Sequence, residues 1–273
     1  MLTQEARQDV LPPKRGTREF FRDLHPFEPM NPDAPIVPVN WLVPGFIMKG
    51  KINMVFGPEK SGKSRFLRWL LANMFLMKDV HNLTLQSPGR VLYLAGEETA
   101  SDITPDLMNN VKLLGFDKND FDWAGAITLV QAAGMRLDDS RQRDWIKQEL
   151  ISGNYDTLII DPLRRVHAAK ESSNDEMAYI CNALRSWSNE LGITIIVLHH
   201  TGKLDEEDDL NRIATWSRGA TDLASVLDWA IFLTRQKHRV CIKRAGRAQP
   251  REDFHVYDNG GGQAWVEAPR NEA

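Results

Sequence analysis

Eight consecutive residues of this chain have the types and spacing of a phosphate-binding loop. They match the pattern G-x-x-x-x-G-K-[ST] and are Gly57, Pro58, Glu59, Lys60, Ser61, Gly62, Lys63 and Ser64. Glycines in such a loop let backbone N–H groups turn inward around a phosphate at the N-terminus of the following helix. Lys63 can then lie between the β- and γ-phosphates, and the Ser64 hydroxyl can reach Mg²⁺. The segment therefore predicts binding of a nucleoside triphosphate with Mg²⁺, followed by its hydrolysis.

Acidic residues elsewhere in the chain could complete that chemistry. Hydrolysis needs an acid near Mg²⁺ and a group that orients or deprotonates the attacking water. Asp161 ends a wholly apolar run, and ligands of α/β sheets collect at such strand ends, so Asp161 is the candidate acid near Mg²⁺. Glu97 and Glu98 follow another apolar run and are candidates for activating water. Elsewhere such a pair is usually solvated loop charge, which stays the alternative interpretation.

Two adjacent histidines, His199 and His200, end a further apolar run. A polar side chain at this position could contact the γ-phosphate and transmit its presence to the following loop. The alternative is a structural role for both histidines. No other His or Cys has a metal-ligand spacing to them, so the pair predicts no metal site.

Strands that alternate with helices must bring these residues together. The predicted strands are Lys51–Phe56, Arg90–Ala95, Ile127–Gln131, Asp156–Asp161 and Ile193–His199. The predicted helices are Lys63–Met77, Asp106–Leu114, Ser140–Ile151 and a helix that starts at a capping box of Ser173 and Glu176 and runs to Leu191. The alternation and the near-continuous apolar runs predict an α/β fold, with a mostly parallel sheet flanked by helices on both faces.

The two ends of the chain have different patterns. Residues 1–40 are rich in proline and charge and predict either a tail or an arm that packs on a neighbouring subunit. Residues 41–270 are predicted to form one domain. After Arg218, short antiparallel strands are predicted at Trp229–Thr234, Arg239–Arg244, Phe254–Tyr257 and Ala264–Val266, with a turn at Gly260–Gly262.

The composition is that of an ordinary globular protein, with 42% hydrophobic and 26% charged residues. The formal net charge of −3 gives no overall support for nucleic-acid binding, but it leaves room for a local basic groove. We expect neither a membrane span nor a secretory signal, because no sufficiently long apolar run occurs. Cys181 and Cys241 have no metal-ligand spacing, so we expect a reduced, cytoplasmic setting.

Five motifs resemble, in their order, those of the RecA/DnaB-type P-loop ATPases, and most of all the RepA-like hexameric replicative helicases of phages and plasmids. They are Trp41–Gly45 leading into the phosphate loop, Tyr93–Glu98, Ile160–Arg165, His199–Lys203 and Arg218–Asp222. The resemblance implies a RecA-like core that binds ATP and Mg²⁺. It further implies that Glu97, with Glu98 beside it, is the catalytic glutamate, that Asp161 is the Walker B acid, and that His200 senses the γ-phosphate.

The same resemblance implies a ring or filament with ATP between subunits, in which a neighbour donates a basic finger. The chain departs from the helicases here, since Asp228 stands where they have the finger arginine. An acid cannot stabilise charge on the transferring phosphoryl group. Lys243 and Arg244, followed by Arg247, resemble the paired basic residues of related ring ATPases and are the candidates, although they could equally form a solvated strand end.

In the resembling family two loops face the central channel and contact single-stranded DNA. The first corresponds to Arg164–Asn174 and is basic, with Arg164, Arg165, His167 and Lys170. The second corresponds to Gly202–Ser217, and its acidic run Asp205–Asp209 would repel phosphate. The second loop therefore either lies outside the channel or indicates a ring that does not translocate on DNA.

Three functions remain open from the sequence. The first is a hexameric DNA helicase of a replication module. The second is a RecA-like recombination factor that coats or anneals single strands. The third is a loader or scaffold that uses ATP to capture replication or recombination proteins without translocating.

Overall fold

The computed structural model describes residues 31–35, 38–79, 83–201, 221–236, 239–246, 252–257 and 266–267. The chain divides into two compact units, Met1–Pro38 and Val39–Ala273. In the first unit, the described residues Asn31–Pro35 form a turn in which Ala34 N donates to Asn31 O at 3.2 Å. The predicted arm up to residue 30, the loop Gly202–Ser217, residues 218–220 of the last motif, Arg247 and the turn Gly260–Gly262 lie outside the described residues.

Eleven strands are described in the second unit, and nine of them form one sheet. They are β1 (Trp41–Val43), β2 (Ile47–Met48), β3 (Ile52–Gly57), β4 (Val91–Ala95), β5 (Ile127–Gln131), β6 (Thr157–Asp161), β7 (Thr194–His200), β8 (Trp229–Gln236), β9 (Arg239–Gly246), β10 (Glu252–Tyr257) and β11 (Val266–Glu267). Strands β1 and β2 form a separate antiparallel hairpin. The sheet order is β11-β10-β9-β8-β3-β7-β6-β4-β5, with parallel pairing from β8 to β5 and antiparallel pairing from β8 to β11. This arrangement confirms the predicted fold.

Helices cover both faces of the sheet. The described helices are α1 (Lys63–Phe75), α2 (Ala100–Leu113), α3 (Trp123–Ala126), α4 (Ser140–Ser152), α5 (Asn174–Leu191) and α6 (Thr221–Val226), with a 3-10 turn at Leu163–Arg165. One apolar layer joins α1 and α2 to the first face, and a second layer joins α4 and α5 to the other. The strands are apolar on both sides because both sides are covered. Within the described part of the chain, no helix has the length and apolarity needed to cross a membrane.

Two helix starts differ from the prediction. Helix α2 begins at Ala100 instead of Asp106, because Thr99 and Asp102 form a capping box in which Thr99 N donates to Asp102 Oδ2 at 2.9 Å. The capping box predicted for α5 is only half formed. Ser173 Oγ accepts from Glu176 N at 3.3 Å, but the Glu176 carboxylate accepts from Lys170 N at 2.7 Å. The first-turn acid thus stabilises the preceding turn rather than the N-cap backbone.

Asp228 has a structural position at the edge of the sheet where β3 and β8 begin. Its Oδ2 accepts from Ile52 N at 3.0 Å, and its backbone N donates to Ile52 O at 3.0 Å. Arg185 of α5 donates to both carboxylate oxygens at 3.0 and 3.2 Å. The acid at this position therefore ties β3, β8 and α5 together, at the end of the strands opposite the phosphate loop.

We expect Asp228→Ala to lower the free energy of unfolding by about 2 to 3 kcal/mol, because it leaves the largely buried Arg185 without its partner. Urea unfolding measures the change. The matched control is Glu190→Ala, which removes the more exposed pair that Lys147 Nζ makes with Glu190 at 2.6 Å and should cost less than about 1 kcal/mol. Equal losses in the two variants would contradict the structural role of Asp228.

Candidate active site

The sequence-predicted site residues meet at the carboxyl edge of the parallel strands. Gly57 at the end of β3 pairs with His200 at the end of β7, and Ala95 at the end of β4 pairs with Asp161 at the end of β6. The side chains beyond these ends surround a cavity of about 570 Å³. It is lined by Lys60, Gly62, Lys63, Ser64, Arg65, Arg68, Glu97, Glu98, Asp102, Asp106, Asp161 and His200.

The phosphate loop has two positions that require glycine. At Gly57 a Cβ atom would lie 2.4 Å from Leu233 O of β8, so the close approach of the neighbouring strand excludes a side chain. Gly62 has a φ of 94° at the N-cap of α1, a conformation that favours glycine. Lys60 also has a positive φ, of 62°. The loop thus turns tightly from a buried strand into the first turn of a helix, and this geometry leaves the helix N–H groups available to an anion.

Lys63 is 5% exposed and lies inside the loop. Its Nζ donates to Gly57 O at 2.9 Å and to Pro58 O at 2.8 Å, and it lies 3.1 Å from His200 Nδ1. Burial lowers the pKa of Lys63 to about 8, although Asp161, Glu59 and Glu97 oppose this shift. The lysine is therefore a buried cation that neutral carbonyls solvate only partly, and a phosphate would stabilise its charge.

Asp161 is 7% exposed and accepts two side-chain hydrogen bonds. Ser64 Oγ donates to Asp161 Oδ1 at 3.0 Å, and Tyr93 Oη donates to Oδ2. Burial raises the pKa of Asp161, while the hydrogen bonds from Tyr93 and Ser64 and the charges of Arg68 and Lys63 oppose that rise. The serine hydroxyl and the acid that were predicted to serve Mg²⁺ are thus direct neighbours.

The two adjacent glutamates have different partners. Glu98 pairs with Arg68 of α1, which is 4% exposed and also donates to Asp106 Oδ2 at 2.8 Å. Glu97 instead accepts from Arg165 Nε at 2.7 Å, in an ion pair whose side chains are 42% and 60% exposed. Glu98 is therefore engaged by a buried cation beside α2. Glu97 stands at the open side of the cavity, which favours it as the residue that contacts water.

The two histidines project to opposite faces of β7, as successive strand residues do. His200 is on the face of the phosphate loop, where burial and the charge of Lys63 lower its pKa. His199 is on the other face and packs against the Phe56 ring at a centroid distance of 5.9 Å. Burial lowers the pKa of His199 to about 4, so it is neutral at physiological pH. Of the pair, His200 alone is placed toward the phosphate loop.

The first predicted DNA loop is only partly exposed. Arg164, Arg165 and Lys170 are exposed, whereas His167 is buried and lies 3.6 Å from Glu171 Oε1. The expectation that His167 contributes to a basic surface is therefore wrong. A second cavity of about 750 Å³, lined by both arginines and Glu97 among other residues, adjoins the turn that carries them.

The finger candidates lie on β9, in the antiparallel part of the sheet. Arg244 lies over the Phe46 ring at 4.9 Å from its centroid, and its Nη1 donates to Gly45 O at 3.3 Å. Both contacts attach it to the connection between β1 and β2. Lys243, the preceding residue, points to the opposite face because side chains alternate along a strand. Whether either residue serves a neighbouring subunit stays a prediction.

Sequence reasoning missed three residues of the site: Arg68, Tyr93 and Asp106. A signal existed for two of them, because Arg68 interrupts the apolar run of α1 and Tyr93 carries a hydroxyl into an otherwise aliphatic strand. A buried polar side chain needs a partner, so each implied one. The identity of the partner depends on which strands and helices are neighbours, which the local pattern does not contain.

These residues fit a nucleotide with Mg²⁺. The buried Lys63 ammonium suits a phosphate, and the hydroxyl of Ser64 beside the Asp161 carboxylate forms the oxygen pair that a hard cation prefers. The cavity is large enough for a phosphate chain, and the glycine positions keep its floor free of side chains.

The fold and site define a P-loop ATPase with a RecA-like core. A family model described as "AAA domain" matches residues 23–206, more than half of the chain, and the chain belongs to that family. Among solved structures, the ATPase domain of a phage helicase is similar, with a TM-score of 0.60 and 15% sequence identity over 85% of this chain and 92% of that chain. At this identity the likeness concerns the fold alone.

We expect Glu97→Gln and Glu98→Gln to differ in kind. Glu97→Gln should bind ATP with parental affinity and hydrolyse it about 10²- to 10⁴-fold more slowly, because it loses the water-orienting carboxylate. Glu98→Gln weakens the pairing of buried Arg68 and should lower the melting temperature. ATP turnover and thermal unfolding of both chains measure the difference. A Glu98→Gln chain that binds ATP, keeps its melting temperature and loses turnover would reverse the assignment.

Proposed function

We propose that the chain is an ATP-binding and ATP-hydrolysing oligomeric motor that acts on DNA in replication or recombination, most specifically a RepA-like DNA helicase. The observation that carries the proposal is the ion pair between Glu97 and Arg165. It joins the residue best placed to activate water to the exposed basic turn that corresponds to a DNA-contacting loop. Nucleotide chemistry and a polyanion surface are thus neighbours in this chain.

Each residue has a distinct part in this proposal. Lys63 and the loop backbone hold the phosphates, and Ser64 and Asp161 would hold Mg²⁺, directly and through water respectively. Bound Mg²⁺ would neutralise charge on the phosphoryl oxygens. Glu97 orients water and accepts its proton, and His200, next to Lys63, contacts the γ-phosphate. Arg164, Arg165 and Lys170 contact the nucleic-acid backbone.

The acidic run Asp205–Asp209 favours a second candidate function, a loader or scaffold ATPase that does not translocate. Five consecutive acids repel a phosphate backbone if they face it. RecA-like annealing or recombination is the further alternative. Strand displacement distinguishes the helicase from the other two, and annealing or filament formation identifies the recombination factor.

We expect single-stranded DNA to stimulate ATP hydrolysis and the stimulation to weaken as salt rises, because backbone contacts release counterions. Lys63→Ala should lower turnover by about 10²-fold or more with and without DNA, while the chain remains folded. Steady-state ATPase assays across a salt series, with circular dichroism as the folding control, provide the measurement. DNA-independent ATPase activity together with ATP-dependent capture of a partner protein would favour the loader.

The finger assignment predicts complementation between inactive chains. Arg244→Ala should bind ATP and turn it over about 10³-fold or more slowly, because the neighbour's phosphoryl group loses a stabilising charge. Mixing it with Lys63→Ala should restore part of the activity, since one interface then combines an intact loop with an intact finger. Light scattering confirms assembly, and a thermal melt checks the contact of Arg244 with Phe46. Parental turnover in both Lys243→Ala and Arg244→Ala would rule out this finger.

A further inference from the structure

Tyr93 brings a hydroxyl group into the buried face of the sheet beside the active site. It lies in the middle of β4, is 1% exposed and pairs across the sheet with Ile159 of β6. Its side chain extends along the sheet to Asp161, two residues beyond Ile159. Phenylalanine would fill the same apolar space, so the hydroxyl needs an explanation other than packing.

The hydroxyl completes the coordination of one carboxylate. Asp161 Oδ1 accepts from Ser64 and Oδ2 accepts from Tyr93, so both oxygens have a donor from a different element. A carboxylate can otherwise rotate about its last torsion with little hindrance, because that torsion is broad. Donors on opposite oxygens remove this freedom and keep Oδ1 turned to the serine hydroxyl.

Arg68 supports the same arrangement from α1. It follows Ser64 by one helical turn, and its guanidinium is held by Glu98 and Asp106. Burial and the Asp161 charge raise the pKa of Tyr93 well above its usual value, while Arg68 opposes that rise. The hydroxyl therefore keeps its proton and acts as a donor to Asp161 at physiological pH.

We propose that Tyr93 is a positioning residue for the Mg²⁺ side of the site, holding the Asp161 carboxylate in the orientation in which it works together with Ser64. The inference rests on the proposed function. It deepens that function by separating the residues that bind phosphate from those that prepare the site for the cation. Tyr93 should therefore control the dependence of nucleotide binding on Mg²⁺, and leave binding without Mg²⁺ unchanged.

The experiment measures binding of a fluorescent ADP analogue to the full chain, over a Mg²⁺ series and in EDTA. Removing a hydrogen-bonding partner of a metal-site side chain costs about 10- to 100-fold in metal affinity. For Tyr93→Phe we therefore expect the Mg²⁺ concentration at half-maximal effect to rise by about tenfold or more. Affinity in EDTA should stay at the parental value, which also shows that the variant is folded.

The matched control is Tyr155→Phe. Tyr155 is also buried, at 7% exposed, and its hydroxyl donates to Thr128 Oγ1 at 2.8 Å, away from the residues that line the nucleotide cavity. This variant loses a buried tyrosine hydrogen bond of the same kind and should keep the parental Mg²⁺ dependence. In an Asp161→Asn background, Tyr93→Phe should have no additional effect, because the carboxylate that it positions is already gone.

Three results would overturn the inference: a parental Mg²⁺ dependence in Tyr93→Phe, an equal shift in Tyr155→Phe, or loss of binding in EDTA. The last result would mean that the hydroxyl is needed for the site to form at all. A parental chain whose nucleotide binding ignores Mg²⁺ would contradict the proposed function itself. That outcome is distinct, because it appears before any variant is compared.

Discussion

The parallel register of four strands is the constraint on which the site depends. Because β3 and β7 are aligned so that Gly57 meets His200, the residue before the phosphate loop and the predicted sensor leave the sheet together. Because β4 and β6 are aligned so that Ala95 meets Asp161, the glutamates that follow β4 reach the same edge. Parallel strands need crossover helices, and these return each chain segment to the opposite edge before the next strand begins. Residues far apart in sequence thus converge without needing any direct contact to bring them there.

Convergence at this edge buries charge, which the chain stabilises with opposite charge and hydrogen bonds. Lys63, Arg68 and Asp161 are each less than 9% exposed. Isolated charges at such depth would be strongly unfavourable. Arg68 has two carboxylate partners and Asp161 has two hydroxyl donors, so both are satisfied within the chain. Lys63 is held mainly by neutral carbonyl oxygens, and burial keeps its pKa near 8. Of the three charges, Lys63 therefore gains most from a bound phosphate.

The sequence predicted what depends on local pattern and not what depends on neighbours. The phosphate loop, the parallel class of the sheet and most strand limits were predictable, because glycine spacing and apolar runs determine them directly. The start of α2 was not, since the capping acid is Asp102 and Pro105 lies inside the helix. The burial of His167 and the contrast between Glu97 and Glu98 were also not predictable. Both follow from which side chain lies opposite in space, a property of the packed sheet and helices.

The segment after β6 is held at the site from two directions, which connects its conformation to both sheet faces. Arg165 at its start pairs with Glu97, beside the nucleotide cavity. Further along, Glu171 Oε1 lies 3.6 Å from His167 Nε2 and 3.9 Å from His199 Nδ1 on the opposite face of β7. Burial raises the pKa of Glu171, but its contacts with the two histidines and Arg164 outweigh this and leave the pKa lowered. Since His199 is neutral at physiological pH, the positive charge nearest this acid comes from Arg164, 4.0 Å away. A polyanion that attracts Arg164 or Arg165 must therefore compete with an acid at the nucleotide cavity or with one packed against the strand of the predicted sensor. The basic segment cannot bind phosphate without altering the electrostatics of the site.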